Sequence, residues 1–429
     1  MDPASAPSSG PASSKPVVVI GAGIVGLACA TYLQRDGHKV VVVDPGGPGE
    51  GASYGNAGGL NGSSIVPVAM PGVLAKVPHW LLDAEGPLSI RLGYLPRLLP
   101  WLYRFVRAGR PELVRAQARA LRGLLAPTVD MHRELAASVG AADLIQRSGL
   151  LIVYRSEASF TADAEAYRLR AENGVKIDEL SRDELRQIEP SLSPAYTRAR
   201  LISENGYVRN PLRLSRALAE SLVANGGEIR RERAEGFAFA DGKVEAVLTT
   251  TGRIPTAAVV LAAGAHSKPL AARLGEKVPL DTERGYHAMI KSPEVAPRLP
   301  IMDAEAKFVA TPMEEGLRMA GTVEFAGLEA PPDWRRARIL LRHGQAMFPG
   351  LPRTVSEDRV ALWMGFRPSM PDSLPVIGPA RRYPNAFLAF GHGHVGLIGA
   401  PMTGRAIADL VAGRPPAIDI APFGAARFG

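Results

Sequence analysis

Cysteine is nearly missing. One residue in 429, Cys29, carries a thiol, so the chain cannot close an internal disulfide. A reducing compartment suits such a chain. Its place inside an apolar helical stretch fits a small packed side chain better than a reactive thiol. Histidine and cysteine form no cluster with metal-ligand spacing, which argues against a structural or catalytic metal and against iron–sulfur ligation. No apolar run approaches the eighteen or so residues of a transmembrane helix. Residues 1–15 hold Ser, Ala, Pro and Gly with only Lys15 charged. They have neither the basic start nor the apolar middle of a secretory signal, and the composition is that of a disordered tail. A cytoplasmic protein is expected.

Acidic residues are scarce in one place. Residues 91–122 contain eight arginines (91, 97, 104, 107, 110, 115, 119 and 122) and one acid, Glu112. That segment alone is +7, close to the whole net charge of +8. Nucleic acid and an anionic membrane surface are the two partner classes such a patch fits. Apolar residues are interleaved with it (Leu98, Leu99, Trp101, Leu102, Phe105). Pro100 and Pro111 are each placed to open a helix. In the second helix Arg115, Arg119 and Arg122 share one face. The helices either pack inward with solvated arginines or lie against a membrane.

At 46% hydrophobic and 21% charged, the chain has ordinary globular composition and length for two or more domains. Its most organised stretch is residues 17–44. Val17–Ile20 is an apolar β-branched run, read as a buried parallel strand. Gly21, Gly23 and Gly26 follow in G-x-G-x-x-G spacing. They permit a tight turn, a close backbone approach and close helix–strand packing. A helix over residues 24–36 starts where its free N–H groups and dipole meet phosphate and ends before Gly37. A second β-branched strand, Val40–Val43, ends at Asp44. That carboxylate lies 21 residues after Gly23, where a ribose-binding acid belongs. A tight turn needs glycine on its own account, but the strand–glycine–helix–strand–acid unit points to a dinucleotide.

Further signals follow in order. Residues 52–59 (Ala-Ser-Tyr-Gly-Asn-Ala-Gly-Gly) read as a ligand loop or, blandly, a flexible linker. Strands are expected at Leu150–Tyr154, around the Asp241-Gly242 hairpin, and over the apolar run of residues 257–264, which would return to the first sheet. Helices are expected over residues 164–173, after the Ser181-x-x-Glu184 capping box, after Asn210-Pro211 and over residues 333–347. Residues 387–390 form a strand leading into Gly-His-Gly-His-Val-Gly, and a last helix opens near Pro401 and closes at Gly413.

Taken together, GAGIVG with Asp44, ASYGNAG, VVLAAGA, Phe-Arg-Pro-x-x-Pro-Asp-x-x-Pro-Val-Ile-Gly and Gly-His-Gly-His-x-Gly resemble the flavin-dependent amino-acid oxidase superfamily over residues 16–425. Within it the chain is most similar to bacterial D-amino acid dehydrogenases and their D-hydroxyproline dehydrogenase relatives. The resemblance implies an α/β fold: a Rossmann-like FAD-binding domain built from residues 16–75, 196–280 and 359–429, and an α+β substrate domain with an antiparallel sheet from residues 76–195 and 281–358. Gly21, Gly23, Ile24, Val25, Gly26 and Asp44 would hold the ADP part of FAD. Ser53, Asn56, Ala57 and Gly58 would line the pyrophosphate and flavin edge, and Ala263 and Gly264 the cofactor's middle. Gly391, Gly393, His394, Val395, Gly396 and Leu397 would run beside the isoalloxazine, with the following helix dipole aimed at N1–C2. Arg367 would grip the substrate carboxylate. Tyr286 and His287 match a motif that faces substrate in relatives, or are an ordinary packed pair on a strand. His394 would touch substrate or flavin, or be structural. Asp44 is one methylene shorter than the usual glutamate.

The implied reaction is oxidative deamination of a D-amino acid or D-configured cyclic imino acid such as D-hydroxyproline, by hydride transfer to flavin N5 and hydrolysis of the imine. Electrons would pass to a quinone or another acceptor, with the arginine-rich segment docking on the inner face of the cell membrane and no role for nucleic acid. An oxygen-using oxidase and a non-catalytic dinucleotide-binding protein are the alternatives.

Overall fold

A computed structural model describes residues 15–429; the expected N-terminal tail lies almost wholly outside them. Two large sheets organise the chain. The first has six strands in the order Glu228–Arg230, Val40–Val43, Val17–Ile20, Ala258–Leu261, Ala386–Phe390, Val376–Pro379. The first five run parallel and the last is antiparallel. Val17 to Ile20 sit opposite Val40 to Val43 on one side and Ala258 to Leu261 on the other. All three strands are wholly buried, as continuous β-branched runs in a covered parallel sheet should be. The Ala258–Leu261 strand does return to the first sheet.

The first helix, Ile24–Arg35, and the last, Gly396–Val411, lie against one another. They meet at Gly404, where an added Cβ would stand 2.7 Å from the Ala28 carbonyl carbon. Cys29, fully buried beside that crossing, is packed away, and burial pushes its thiol up to about 12.

The last helix does not open at Pro401. It starts at Gly396 and runs through the proline. Pro401 has no N–H for the Leu397 carbonyl, and the Thr128–Ala137 helix supplies the replacement: His132 Nε2 lies 2.8 Å from Leu397 O. Thr128 Oγ1 donates to Ile398 O one residue on, at 2.8 Å. Similarly, Pro100 lies inside the helix Leu95–Ala108, whose opening proline is Pro96. Pro111 does open Pro111–Leu125, and the capping box at Ser181 is formed.

The second sheet has nine strands, mostly antiparallel. Its order is Val360–Ser369, Asp281–Lys291, Gly316–Phe325, Phe308–Met313, Ile301–Asp303, Leu150–Tyr154, Arg198–Ile202, Asp178–Leu180, with Leu88–Ile90 added parallel to Gly316–Phe325. Two of its strands fall in segments assigned from sequence to the nucleotide side: Arg198–Ile202 within 196–280, and Val360–Ser369 within 359–429. Their pairing in the large sheet corrects those boundaries. Pairing across the chain, not local pattern, decides which sheet a strand joins.

Candidate active site

The N-terminal glycines form a cradle. Gly21 has φ +113°, and a Cβ there would collide with the Ala262 carbonyl at 2.4 Å. A Cβ on Gly26 would stand 1.9 Å from Gly21 O, so the helix can sit this close only without a side chain. The N–H groups of Val25 and Gly26, in the first turn, have no acceptor inside the helix. Ile24 N is capped by Ser53 Oγ at 2.9 Å. Ser53 therefore ties the glycine-rich loop to the helix start. Asp44 spends its short reach on backbone, Oδ2 accepting from Ala22 N at 2.8 Å and Oδ1 from Gly46 N at 2.7 Å. Each oxygen keeps a second lone pair for a ribose hydroxyl.

Asn56 shapes the loop, donating to Ser53 O and accepting from Gly58 N, both at 2.7 Å. Gly58 takes φ +71°. The large sheet fastens the loop from the other side. Arg318 Nη1 donates to Tyr54 O and Asn56 O, Thr311 Oγ1 to Ala57 O, and His287 Nδ1 lies 2.9 Å from Gly55 O. His287 Nε2 and Arg318 Nε are buried with no hydrogen-bond partner among the described residues. Burial, with Arg318 nearby, pushes His287 down to about 3, so the ring is neutral at pH 7.

The third wall is the C-terminal glycine loop. Gly391 and Gly393 take φ +79° and +53°, and Gly264, beside Ala263 at the end of the returning strand, takes +55°. A Cβ on Gly264 or Gly393 would meet nothing within 4 Å, so both border open space. Val395 caps the last helix, and Gly396 and Leu397 are its first residues. A glycine cradle at a helix N-terminus, with backbone bordering open space at Gly264 and Gly393, fits a flavin dinucleotide.

Arg367 lies over Gly285, where a Cβ would be 2.2 Å from its Nη2. Its Nη1 donates to Thr322 O at 2.8 Å and Nη2 to Gly321 O at 3.3 Å. Thr322 has φ +54°, a costly conformation for a β-branched residue. It sits where the register of Gly316–Phe325 shifts against Asp281–Lys291. The irregularity turns two carbonyls onto one guanidinium.

Successive strand residues face opposite ways, and this separates Tyr286 from His287. His287 shares the Arg367 face and stacks on Trp363 at 5.2 Å. Tyr286 faces the other way: its hydroxyl donates to Glu324 at 2.5 Å and accepts from Asp333 N at 3.0 Å. For Tyr286 the geometry is that of a packed core residue. His394 opens onto a small cleft lined also by Glu283, Ser369, Met370, His392, Trp101 and Phe105. Its crowded surroundings and Arg367 push it down to about 4. Glu283, Ser369, Trp101 and Phe105 carry no local sequence signal for a site. They reach it through strand pairing and through the fold of Leu95–Ala108, and only the register Glu283–Arg367 would have revealed the first.

A family model described as FAD dependent oxidoreductase (DAO) matches residues 16–410. The chain is a member of this family. It is 48% identical over 415 residues to a D-amino-acid oxidase of Bradyrhizobium diazoefficiens, covering 96% of this chain and 98% of that one. It is 35% identical over 420 residues to a D-amino acid dehydrogenase of Paramagnetospirillum magneticum, covering 96% and 98%. Among solved structures, L-proline dehydrogenase from P. horikoshii superposes with a TM-score of 0.73 over 97% of this chain and 98% of that one, at 18% identity, a likeness of fold. The family member thus has FAD as its cofactor and is an oxidoreductase.

Proposed function

We propose that this FAD-dependent oxidoreductase oxidises a D-amino acid, or a D-configured cyclic imino acid such as D-hydroxyproline, to the imine, which water then hydrolyses. The observation that carries the reading is Arg367, aimed by two backbone carbonyls over Gly285 and beside the His394 cleft. A planar fork held this way suits a carboxylate with two parallel charged hydrogen bonds and fixes the α-carbon in place. Bound FAD would supply the two-electron acceptor. The residues proposed to hold it are Gly21, Gly23, Ile24, Val25, Gly26 and Asp44 for the ADP part, and Ser53, Asn56, Ala57, Gly58, Ala263, Gly264 and residues 391–397 around the remainder. His287 would support the loop from behind, and His394, neutral, would line the substrate space. The names of the two relatives support the D configuration. An anaerobic panel of D-amino, L-amino and cyclic imino acids tests the reading: D substrates should bleach the visible flavin absorbance. Colourless protein that takes up no FAD, or bleaching by none of the panel, would end it.

For the acceptor, we propose a quinone or other carrier at a membrane. Among the described residues no helix is long and apolar enough to cross a bilayer. The Leu95–Ala108 helix, however, has two apolar stripes. Leu98, Trp101, Leu102 and Phe105 face inward, while Leu99, Tyr103 and Val106 are exposed, as is Leu92 just before. Around them Arg97, Arg104, Arg107, Arg110, Arg115 and Arg119 are exposed. Arg91 and Arg122 are not part of this surface: Arg91 pairs with Glu324 at 2.8 Å and Arg122 with Glu204 at 2.5 Å. An apolar stripe edged by arginines suits an anionic lipid face. The protein should sediment with anionic but not neutral vesicles, and Leu99→Asp with Val106→Asp should abolish this. Indifference to anionic vesicles at low salt would refute it. The second reading, oxygen as acceptor, is favoured by the name of the 48% identical relative; stoichiometric peroxide during turnover would establish it.

A further inference from the structure

Glu283 and Arg367 face each other across adjacent strands. Both side chains project from the face that meets the glycine-rich loop. Glu283 is buried at 8% exposure and lines the His394 cleft. Its Oε1 accepts a hydrogen bond from Ser369 Oγ at 2.6 Å, and among the described residues Ser369 alone donates to it. Two opposite charges thus stand side by side, yet among the described residues no ion pair within 4.0 Å joins them: Arg367 turns to the carbonyls of Gly321 and Thr322 instead. A buried carboxylate beside a half-buried guanidinium that does not close on it is left short of a cation, which is costly. A zwitterion closes it, with its carboxylate on the guanidinium and its ammonium on the carboxylate. The spacing matches too, since facing side chains on neighbouring strands start about 5 Å apart.

We propose that Glu283 receives the α-ammonium of the substrate and takes one of its protons. The inference rests on the reading that Arg367 grips the carboxylate. In this step an N–H bond breaks and an O–H bond forms on Glu283. The electron pair stays on nitrogen as the free-amine lone pair, which the α-carbon needs as its hydride departs. No oxidant is consumed in the transfer. The electrostatics suit a base: burial raises the Glu283 carboxyl, Ser369 and Arg367 pull it down, and Asp281 adds to the rise. Asp281 is itself bonded to the Tyr94 hydroxyl at 2.9 Å, and the cleft that Glu283 lines also holds His392 and His394. Burial holds His392 neutral, and the Arg367 charge works against protonation of His394.

The test uses two ligands of one shape on the FAD-loaded protein. One is 2-aminoisobutyrate, a zwitterion with no α-hydrogen to lose. The other is isobutyrate, which lacks the ammonium. Binding is read by calorimetry. Glu283→Gln should weaken 2-aminoisobutyrate by about 10- to 100-fold and leave isobutyrate unchanged or tighter, because a repelling carboxylate has gone. The acid limb of kcat/KM against pH should vanish with it. Ser369→Ala, a milder change, should move that limb to higher pH. If both ligands weaken together, or neither moves, Glu283 is a structural residue and the inference falls while the proposed function stands. If the wild type binds neither ligand, Arg367 is misassigned and both fall.

Discussion

The most direct probe of the carboxylate grip is not Arg367 itself but the glycine beneath it. In Gly285→Ala the new Cβ would lie 2.2 Å from Nη2 and 2.3 Å from Cζ of Arg367. Ordinary contact needs roughly 3.4 Å, so the guanidinium must retreat by about 1 Å. The arginine is the far end of a flexible side chain and can do so without unfolding the strand. Alanine in a strand even recovers about 0.5 kcal/mol of backbone entropy. What is lost is aim. The 2.8 Å bond to Thr322 O would stretch beyond hydrogen-bond range. A charge-assisted hydrogen bond is worth about 1.5–3 kcal/mol, so kcat/KM for a D-amino acid should fall roughly 10- to 150-fold. Flavin content and thermal midpoint should stay near wild type. The assay is steady-state kinetics with an artificial electron acceptor, beside the visible flavin spectrum of the same preparation. A variant within a factor of about three of wild type would show that the carbonyl grip does not position the guanidinium for catalysis.

Three further outcomes are expected. Arg367→Lys should bind FAD normally yet lose about one to two orders of magnitude in kcat/KM, since a single ammonium cannot span two carboxylate oxygens; kinetics with a carboxylate-free amine, unaffected by the change, is the control. Thr322→Gly should raise the thermal midpoint, because it relieves a left-handed β-branched residue worth about 1–2 kcal/mol and removes a buried, unpaired hydroxyl, while reducing activity through a looser Arg367. Acid should destabilise the fold. Burial depresses His132 to about 4 and His287 and His392 to about 3, whereas the unfolded chain takes up those protons near pH 6.5. Stability is therefore full above about pH 6.5 and falls as pH drops towards 4, by up to about 4 kcal/mol per pH unit for three protons. Urea midpoints between pH 7 and 5 check this, and His132→Leu should remove about a third of the slope.

The nucleotide side was legible because its signals are local. Val17–Ile20, the glycine spacing and Val40–Val43 require only neighbouring residues to be read, and each occupies its expected place. The returning strand and the capping box are of the same kind. What escaped reading depends on distant partners. Pro401 looks like a helix start until His132, 265 residues away in sequence from the carbonyl it serves, fills the missing bond. Pro100 lies mid-helix because an exposed outer face tolerates it. Tyr286 and His287 are adjacent letters with opposite destinations, fixed by which face of Asp281–Lys291 meets the loop. Glu283 reaches the cleft only through its register with Arg367, which no pattern within either strand encodes.

The crossing of the first and last helices at Gly404 has a consequence for biosynthesis. The strands of the parallel sheet come from residues 17–43, 228–230, 258–261 and 376–390, and the helix that leans on the first one ends at Val411. A ribosome adding about 5–20 residues per second needs roughly 20–70 s to travel from the second strand to the end of that helix. At first the two β-branched early strands have only each other; their outer neighbours Glu228–Arg230 and Ala258–Leu261 follow part-way through, and the covering helix comes last. Such a nascent chain is a natural client for holding chaperones, and slow translation or a crowded exit tunnel would tax its yield more than that of a protein whose sheet is contiguous in sequence.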